Sequence, residues 1–461
     1  MRSLKNEVCA LVLAAGKGTR MKSELPKVLH PLLGEPMLWY VDNSLKKYFD
    51  PQNIFYVLGY KSHMIEQALD FVRENKIYQK EQLGTGHALQ CAYDQLVKKG
   101  YEWVLVVNGD VPLLDMDKIW PMIDRALEQN IHLSFLTINL DDPTGYGRVL
   151  RNKSDEVVGI IEQKDIQSSE IEKISEVNCG IYFINLKEIK DYLFKLDCNN
   201  KQGEYYLTDL VEFFVKDKKV VFAYNLGKQK EFLGVNSCNE LALCDEILQR
   251  KIVEELLSKG VLIYRPDLVR IGPRVEVDSG IQITGPTEIY GKSSVSKGTI
   301  INSHVWIRDS VIAEDCKILN FSHIEGAQIG RRCTIGPFAR LRPGTRLVAE
   351  IKVGNFVEIK KSILEKGVKA SHLSYLGDSF IGEETNIGAG TITCNYDGKN
   401  KHQTYIGKGV FVGSNTSLVA PLKIGDSALI GAGSTITKNV PDGCLAVARQ
   451  RQKNIERKTK K

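Results

Sequence analysis

The chain has 461 residues, of which 43% are hydrophobic and 26% charged, and its formal net charge is +6. This length exceeds that of a typical single core, and the composition excludes disordered, collagen-like and membrane-spanning proteins, so we expect two domains and a connector. Residues Arg449 to Lys461 hold seven basic residues and one acidic residue, which accounts for the whole net charge. We therefore expect no nucleic-acid and no membrane partner, and interpret the basic tail as a solvated terminus, with a polyanion-binding arm as the alternative.

The ten cysteines are scattered along the chain, without a CxxC pair or a zinc-like spacing of Cys and His. The apolar run from Val8 to Ala15 is too short to cross a membrane, and a glycine-rich stretch follows it directly. Free thiols and the lack of a secretory segment predict a cytoplasmic protein.

In the first half of the chain, short aliphatic runs alternate with longer amphipathic stretches. Val8 to Leu13, Asn53 to Leu58 and Trp103 to Val107 predict buried strands, and His63 to Asn75 predicts a helix. This alternation predicts an α/β domain over residues 1–238, Rossmann-like and with a mostly parallel sheet, whose ligands gather where the strands end.

Residues 239–260 form a helical pattern without Pro and with Gly only at its end, which predicts a linking helix that stops at Gly260. The periodicity then changes. From Ile271 to Ile307 an aliphatic residue returns at every sixth position, and the same period recurs from Ile329 to Ile359 and from Ile406 to Ile436. A six-residue repeat predicts a left-handed parallel β-helix of hexapeptide repeats over residues 261–461.

The six-residue spacing fails between Ile359 and Ile381 and again between Ile387 and Ile406. These gaps contain His372, Tyr375, Asn395 and Tyr396. Interruptions of a regular scaffold are often functional, so we expect a site there.

The first predicted strand runs directly into Leu13 to Arg20, and Pro26 and Lys27 follow. Small residues let backbone N–H groups approach phosphate oxygens, and Arg20 and Lys27 supply positive charge. The loop lacks the spacing of a P-loop, and Met21 replaces the third glycine of a dinucleotide fingerprint. A tight turn is the alternative explanation for the glycines.

Asp110 follows another predicted strand and ends the sequence Val107-Asn108-Gly109-Asp110. At the carboxyl edge of a sheet it can hold Mg²⁺ against phosphate oxygens. It can equally cap a turn or a helix, so the residue alone does not decide between the two roles.

Together these pieces resemble the sugar-nucleotide pyrophosphorylases, and most closely the bifunctional bacterial family that couples uridylyl transfer to acetyl transfer. The resemblance covers nearly the whole chain. Its most specific motifs in the first half are LAAGKGTRM, LPKVLH, EQLGTGHA, NGDVPLL, DDPTGYGR, QGEYYLTD and GVN.

The resemblance implies attack of a sugar 1-phosphate on the α-phosphorus of UTP, with Mg²⁺ held by Asp110 and Asn236. The residues that it implies for UTP and UDP-N-acetylglucosamine are Leu13, Ala14, Ala15, Gly16, Lys27, Gln79, Gly84, Thr85, Asn108, Gly109, Asp110, Gly147, Glu162, Asn178 and Asn236. Gln79, Gly84 and Thr85 would lie at the uracil, and Gly147, Glu162 and Asn178 at the sugar. Asn108 and Cys179 depart from the residues common in the family, which leaves fine sugar selectivity open.

Acyl transfer to an amine needs a general base, and His372 is the candidate in the second half. A loop histidine is more often structural or merely exposed. However, Lys369 to Asp378 resembles the acetyltransferase site of the same family, which implies that His372 accepts the proton. The residues implied for glucosamine 1-phosphate are Arg342, Lys360, Tyr375 and Asn386. Those implied for acetyl-CoA are Ala389, Asn395, Tyr396, Ser414, Ala432 and Arg449.

A backbone N–H near Ala389 is the candidate oxyanion donor. A covalent acyl-enzyme on Cys394 is disfavoured, since no histidine lies in the adjacent motif. The family also implies a homotrimer, with active sites where neighbouring β-helices meet and with the basic tail reaching an adjacent protomer. The implied pathway acetylates glucosamine 1-phosphate and then forms UDP-N-acetylglucosamine, a precursor of peptidoglycan and lipopolysaccharide.

Two alternatives stay open from the residues. One is a pyrophosphorylase for another hexose 1-phosphate whose β-helix serves only allostery or assembly; such a protein would not need His372, Lys360, Tyr375 and the Asn395-Tyr396 pair. The other is a noncatalytic scaffold, against which intact Lys27, Asp110, Asn236 and His372 argue.

Overall fold

A computed structural model describes residues 7–455 of the chain. The chain divides into two compact units, with the boundary between Glu246 and Ile247. The predicted basic tail begins at Arg449, and its part from residue 456 onward lies outside the described residues.

The first unit alternates strands and helices along the chain. Its strands are β1 Val8–Ala14, β2 Pro31–Leu32, β3 Glu35–Pro36, β4 Ile54–Leu58, β5 Lys76–Tyr78, β6 Trp103–Asn108, β7 Leu133–Asn139, β8 Arg148–Arg151, β9 Val157–Ile161, β10 Glu176–Asn185 and β11 Val221–Asn225. The α-helices are α1 Met37–Leu45, α2 Ser62–Ala68, α3 Thr85–Lys98, α4 Met116–Glu128, α5 Ser169–Glu172, α6 Leu186–Leu193 and α7 Asp209–Lys216, and α8 Cys238–Ser258 continues across the boundary into the second unit. Short 3₁₀ helices lie at Thr19–Met21, Lys27–Leu29, Pro51–Asn53, Asp70–Val72, Gln163–Asp165 and Lys230–Phe232, and in the second unit at Pro266–Leu268.

The main sheet has the strand order β11-β7-β10-β6-β1-β4-β5, with β8 and β9 attached beside β10. β1 pairs in parallel with β4 and β6, and β10 is antiparallel to β6 and β7. The prediction of a mostly parallel α/β sheet is therefore confirmed.

Side chains of β1 alternate between two cores, as the period of a strand requires. Val8, Ala10 and Val12 join the core that contains residues of α1 and α4. Cys9 and Leu11 join the core that contains residues of α3, α6 and α7. Both faces of the sheet are covered, so its ligand must approach from a strand end.

The second unit is a prism of three parallel sheets, in which each coil contributes one strand to each face. The strands of face one are Leu262–Tyr264, Gln282–Thr284, Ile300–Ile301, Lys317–Ile318, Thr334–Ile335, Lys352–Asn355, Lys369–His372, Asn386–Ile387, Phe411–Val412, Leu429–Ile430 and Leu445–Ala446. Those of face two are Val269–Ile271, Thr287–Tyr290, Val305–Arg308, His323–Glu325, Arg340–Leu341, Glu358–Lys360, Tyr375–Gly377, Ile392–Cys394, Ser417–Val419 and Thr435–Ile436. Those of face three are Glu276–Val277, Ser294–Val295, Val311–Ile312, Gln328–Ile329, Arg346–Leu347, Ile363–Leu364, Ser379–Ile381, Thr404–Ile406 and Leu422–Ile424.

The aliphatic residues of the hexapeptide pattern form the core of this prism. For example, Ile283, Ile289 and Ile301 are fully buried, and strands of successive coils pair in parallel along each face. The prediction of a left-handed parallel β-helix of hexapeptide repeats is confirmed.

The two gaps in the pattern differ in the structure. Between Ile359 and Ile381 the coil continues, because Leu364, Ala370 and Leu376 take the core positions with some five-residue steps. The six-residue spacing does fail there, as the sequence indicated, but the coil itself is not interrupted. Between Ile387 and Ile406, Thr393 is buried in the coil and a loop then leaves it, closed by a bridge between Tyr396 and Lys401.

Candidate active sites

A cavity of about 760 Å³ opens at the carboxyl ends of the strands in the first unit. Twelve of the fifteen residues predicted for the nucleotide and sugar line it, and Gly109, Gly147 and Asn178 do not. The end of β1 and the loop after it supply Leu13 to Arg20, and segments from distant parts of the chain close the other sides. This arrangement follows from the sheet, whose strand ends meet at one edge.

Two cations and two oxygen ligands converge at one end of the cavity. Lys27 forms an ion pair with Asp110, and its Nζ lies 2.6 Å from Asn236 Oδ1. Arg20 Nη2 donates to the same Asn236 oxygen at 2.8 Å. The backbone joins the segments, because Val235 N donates to Asp110 O. The predicted metal ligands thus lie together and beside the predicted phosphate-binding cations.

The residues at this end fit a hard divalent cation. Asp110 Oδ1 is buried and has no hydrogen-bond partner. A Cβ added at Gly234 would lie 3.2 Å from this oxygen, so the glycine leaves the space beside it open. One carboxylate and one amide oxygen are a donor set that Mg²⁺ uses when phosphate and water supply its other ligands. Among the described residues there is no cluster of three or more His, Cys, Asp or Glu that could hold a metal by itself.

Glu162 lies at another part of the cavity wall, beside the predicted sugar residues. Burial is the main cause that raises its pKa to about 7, and the nearby carboxylates of Asp209 and Asp165 add to it. Thr208 Oγ1 donates to Glu162 Oε1 at 3.3 Å, which opposes the shift. Thr208 carried no predicted role, although it lies in the motif QGEYYLTD.

The predicted residues outside the lining have structural partners. Asn178 N donates to Gly147 O at 3.0 Å, and the Asn178 side chain bonds Tyr182 Oη and Gly180 N. Gly109 N donates to Leu13 O at 2.9 Å, which fastens β6 to the phosphate loop. Of the two departures from the family, Asn108 lines the cavity and Cys179 is buried.

In the second unit, His372 is paired with a residue that the sequence did not single out. His372 Nδ1 lies 2.9 Å from Asn355 Oδ1, and the two residues are partners on adjacent strands of face one. An amide oxygen only accepts, so Nδ1 carries the proton and Nε2 keeps its lone pair. A count of seventeen residues, one coil, back from His372 would have found Asn355.

His372 lies on the edge of the prism between faces one and two, which we call the first edge. Three residues predicted for acetyl-CoA lie on successive coils of this edge: Ala389, Ser414 and Ala432. Asn415 N donates to Ala389 O, Gly433 N to Ser414 O, and Arg449 Nη1 to Ala432 O, at 2.7, 2.8 and 2.7 Å. The predicted residues therefore form one column, which ends at Arg449.

Cations gather at the opposite edge of face two, which we call the second edge. Lys360 has a lowered pKa, chiefly because the Lys401 ammonium lies beside it, with Arg342 as a further cause. Arg342 Nη1 also donates to Glu358 Oε1 at 2.8 Å. Cations that meet at such close range predict an anionic ligand. Lys401 was missed from the sequence because the loop that carries it returns to the coil only in three dimensions.

Tyr375 lies between these two edges, beside Glu358 in the sheet of face two. A Cβ at Gly377 would lie 2.5 Å from the Tyr375 phenol and 2.8 Å from Asn395 Nδ2, so only glycine leaves them room. Asn395 Nδ2 donates to Asp378 Oδ2 at 2.5 Å. The exposed Tyr396 donates from its Oη to Gly398 O. Asn386 is on face one, beside Lys369.

Comparisons with known proteins match each of the two units to a different family model. Residues 10–156 match the family model of the MobA-like NTP transferase domain. Residues 309–343 and 403–438 match the model of the bacterial transferase hexapeptide (six repeats).

Similar proteins match over nearly the full chain and carry the name "Bifunctional protein GlmU". One from Nitratidesulfovibrio vulgaris is 47% identical over 452 residues, which cover 98% of each chain. One from Lawsonia intracellularis is 45% identical over 97% of this chain and 98% of its own. One from Carboxydothermus hydrogenoformans is 43% identical over 97% of this chain and 98% of its own. No helix among residues 7–455 is long and apolar enough to cross a membrane.

Proposed function

The chain belongs to the family of the bifunctional GlmU proteins, and on that basis we propose that it makes UDP-N-acetylglucosamine in two steps. It acetylates glucosamine 1-phosphate with acetyl-CoA and then transfers UMP from UTP to N-acetylglucosamine 1-phosphate, which releases pyrophosphate. The observation that carries the proposal is the convergence of Lys27, Asp110 and Asn236 in the cavity of an NTP transferase domain.

In the uridylyl transfer, Lys27 and Arg20 hold the triphosphate and balance charge that develops on it. Asp110 and Asn236 would hold Mg²⁺, which would draw charge from the phosphates. Lys27 contacts both of these residues, and its ammonium would pair with phosphate oxygens of a bound nucleotide. The loop from Leu13 to Gly16 contributes small side chains that allow close approach of phosphate, and Gln79, Gly84 and Thr85 bind the base.

N-acetylglucosamine 1-phosphate lies near Glu162, Gly147 and Asn178. Glu162 has a pKa raised to about 7, so a substantial fraction is protonated near neutral pH and donates a hydrogen bond to a sugar or amide oxygen. Asn178 acts through the backbone bond to Gly147, since its side chain is already paired. The sugar phosphate oxygen attacks the α-phosphorus without a covalent enzyme intermediate.

In the acetyl transfer, glucosamine 1-phosphate lies across face two. Its phosphate contacts Arg342, Lys360 and Lys401 at the second edge, and its ring contacts Tyr375. The amine then points to the first edge, where the free lone pair on His372 Nε2 accepts its proton. Asn386, on face one, and Asn395, directly after a strand of face two, add polar contacts.

Acetyl-CoA lies along the column of Ala389, Ser414, Ala432 and Arg449, with Tyr396 at its side. Successive coils rise by about 4.8 Å, so three steps give an extended groove of about 14 Å that suits the long pantetheine arm. The thioester end lies next to His372, whose turn precedes Ala389 by one coil. The Ala389 N–H is the proposed oxyanion donor.

The proposed assembly is a homotrimer in which a second copy covers the first edge. Below His372 this edge carries exposed rings that stack on one another. Their centroids are 4.8 Å apart for His304 and Phe321, 4.8 Å for Phe321 and Phe338, and 5.3 Å for Phe338 and Phe356. A continuous apolar column on the surface indicates an interface. We also propose a cytoplasmic location, and domain boundaries at 1–238, 239–260 and 261–461.

The test is a coupled assay of the purified protein with glucosamine 1-phosphate, acetyl-CoA, UTP and Mg²⁺. Free thiol from CoA and pyrophosphate are followed separately, and both should appear. Pyrophosphate without thiol, with N-acetylglucosamine 1-phosphate supplied, would make the β-helix a structural or regulatory domain. If neither product forms, the chain is a scaffold.

A further inference from the structure

Gln79 lines the cavity of the first unit, and a second residue fixes its side-chain amide from behind. Gln79 Nε2 lies 3.0 Å from Gly84 O and 3.1 Å from His87 Nδ1. Gln79 is only 3% exposed and follows β5 at the strand-end edge of the sheet. His87 lies in the first turn of α3 and is not part of the cavity wall.

The partners determine where each hydrogen must be. Gly84 O has only lone pairs, so the amide nitrogen of Gln79, not its oxygen, must lie beside it. The other amide hydrogen then faces His87 Nδ1, which must accept it. Neutral His87 therefore carries its proton on Nε2, and Cys91 Sγ lies 3.6 Å from this atom as a weak acceptor.

Both hydrogens of the Gln79 amide are thus used inside the protein. Gln79 Oε1 has no hydrogen-bond donor among the described residues, and it is not among their buried unpaired atoms. The amide therefore presents only an acceptor to the cavity. A base with a hydrogen on N3, such as uracil, can donate to it, whereas cytosine has a lone pair at N3 and is repelled.

We propose that His87 is a positioning residue that selects uracil over cytosine in the nucleotide. Gly84 sets the orientation of the Gln79 amide, and His87 occupies its second hydrogen, so that the amide cannot offer a donor to cytosine N3. The inference rests on the proposed uridylyl transfer, because it names what the same cavity distinguishes. Thymine shares the N3–H of uracil and is not rejected by this device.

Two substitutions in the full-length enzyme test this role. His87→Leu introduces an apolar side chain of similar length and removes the acceptor. His87→Asn retains an acceptor oxygen near the position of Nδ1. We measure kcat and KM of pyrophosphate release with UTP and with CTP, at saturating N-acetylglucosamine 1-phosphate and Mg²⁺.

We expect His87→Leu to lower the ratio of kcat/KM for UTP over CTP by about tenfold, the value of one hydrogen bond. The change should lie mainly in KM for the two nucleotides, and His87→Asn should restore most of the ratio. An unchanged ratio in His87→Leu would overturn the proposal. An equal loss in both variants would also overturn it, since packing and not the acceptor would then be the cause.

A measurement on the unmodified enzyme covers the case in which a variant does not fold. The ring nitrogens of ¹⁵N-labelled His87, assigned through their contact with the Gln79 side-chain amide, should show the proton on Nε2. A proton on Nδ1 would exclude the arrangement. If the unmodified enzyme releases no pyrophosphate from UTP and the acetylated sugar phosphate, the proposed function fails, whichever tautomer is found.

Discussion

Asn355 Oδ1 accepts a hydrogen bond from His372 Nδ1 at 2.9 Å, one coil of the β-helix below it. The ring of His372 is otherwise exposed, so this bond sets both its orientation and its tautomer. The free Nε2 lone pair is the one available to the amine in the proposed acetyl transfer. The position of the proposed base is thus a property of two adjacent strands and not of one loop.

We predict that Asn355→Leu lowers the rate of acetyl transfer at least about tenfold. A general base contributes about 10²–10⁴-fold, and part of this is lost when the ring can take the other tautomer. Asn355→Asp retains the acceptor and should keep more activity than Asn355→Leu. Release of CoA thiol is the measurement, and uridylyl transfer in the same preparation is the control. An unchanged rate in Asn355→Leu, or in His372→Ala, would contradict the assignment of the base.

The pKa of Glu162 predicts a dependence of stability on pH. The folded-state pKa of about 7 lies above the ordinary value of 4.5 for a Glu carboxyl, so the folded protein binds this proton more tightly than the unfolded chain does. Stability from this group is therefore present below pH 4.5 and is lost as the pH rises through 7.

Glu162→Gln should stabilise the first unit at pH 8 by on the order of 2 kcal/mol and have little effect at pH 4.5. Urea unfolding at both pH values measures this, and an equal gain at both would exclude titration as the cause. Glu128→Gln, at an exposed position of α4, is the control.

The cations at the second edge predict that removal of one of them selectively weakens the binding of the sugar phosphate. Lys401→Met should raise KM for glucosamine 1-phosphate about tenfold, because a charge-assisted hydrogen bond to phosphate contributes about 1.5–3 kcal/mol. It should also raise the pKa of Lys360, since Lys401 is the first cause of its lowered value. Steady-state kinetics of thiol release gives KM, while KM for acetyl-CoA should not change. Lys408→Met serves for comparison, because Lys408 carries a charge on another part of the coil and its ion pair is exposed.

The stacked rings on the first edge predict how the protein assembles. Phe338→Asn combined with Phe356→Asn should convert a trimer to monomers, since it removes the centre of an apolar surface. Both positions have positive φ, 54° and 56°, which asparagine tolerates better than phenylalanine, so the fold should persist. Sedimentation velocity measures the assembly. Tyr405→Asn, which removes an exposed ring stacked on Phe380 of face three, should leave the trimer intact; dissociation by this control would refute a specific role of the first edge.

The sequence was informative where one side chain repeats at a fixed interval. Ile283, Ile289 and Ile301 mark the core of the β-helix because every coil needs an inward residue on each face, and Asp110 could be placed at a strand end because β6 is a continuous aliphatic run. Ala370 escaped the pattern since a small residue suffices in the core there, and the five-residue steps around it shift the count.

Contacts between residues far apart in the chain could not be predicted in the same way. Asn355, Lys401 and Thr208 act on predicted residues through coil stacking, a returning loop and a helix start, and none has a composition that marks it. The pairing of the Asn178 side chain with Tyr182 likewise depends on the irregular pairing of β10 with β7.

The first edge carries the rings, His372 and the column proposed for acetyl-CoA on consecutive coils, so each distance along this edge is a whole number of coil rises. The rise per coil therefore sets the spacing between the features along this edge. A duplicated coil inserted below His304 would lengthen the prism by about 4.8 Å and leave the base and the column in step. The same insertion between the coils of Ala389 and Ser414 would lengthen the column by that amount, so the groove proposed for acetyl-CoA would suit a longer acyl carrier.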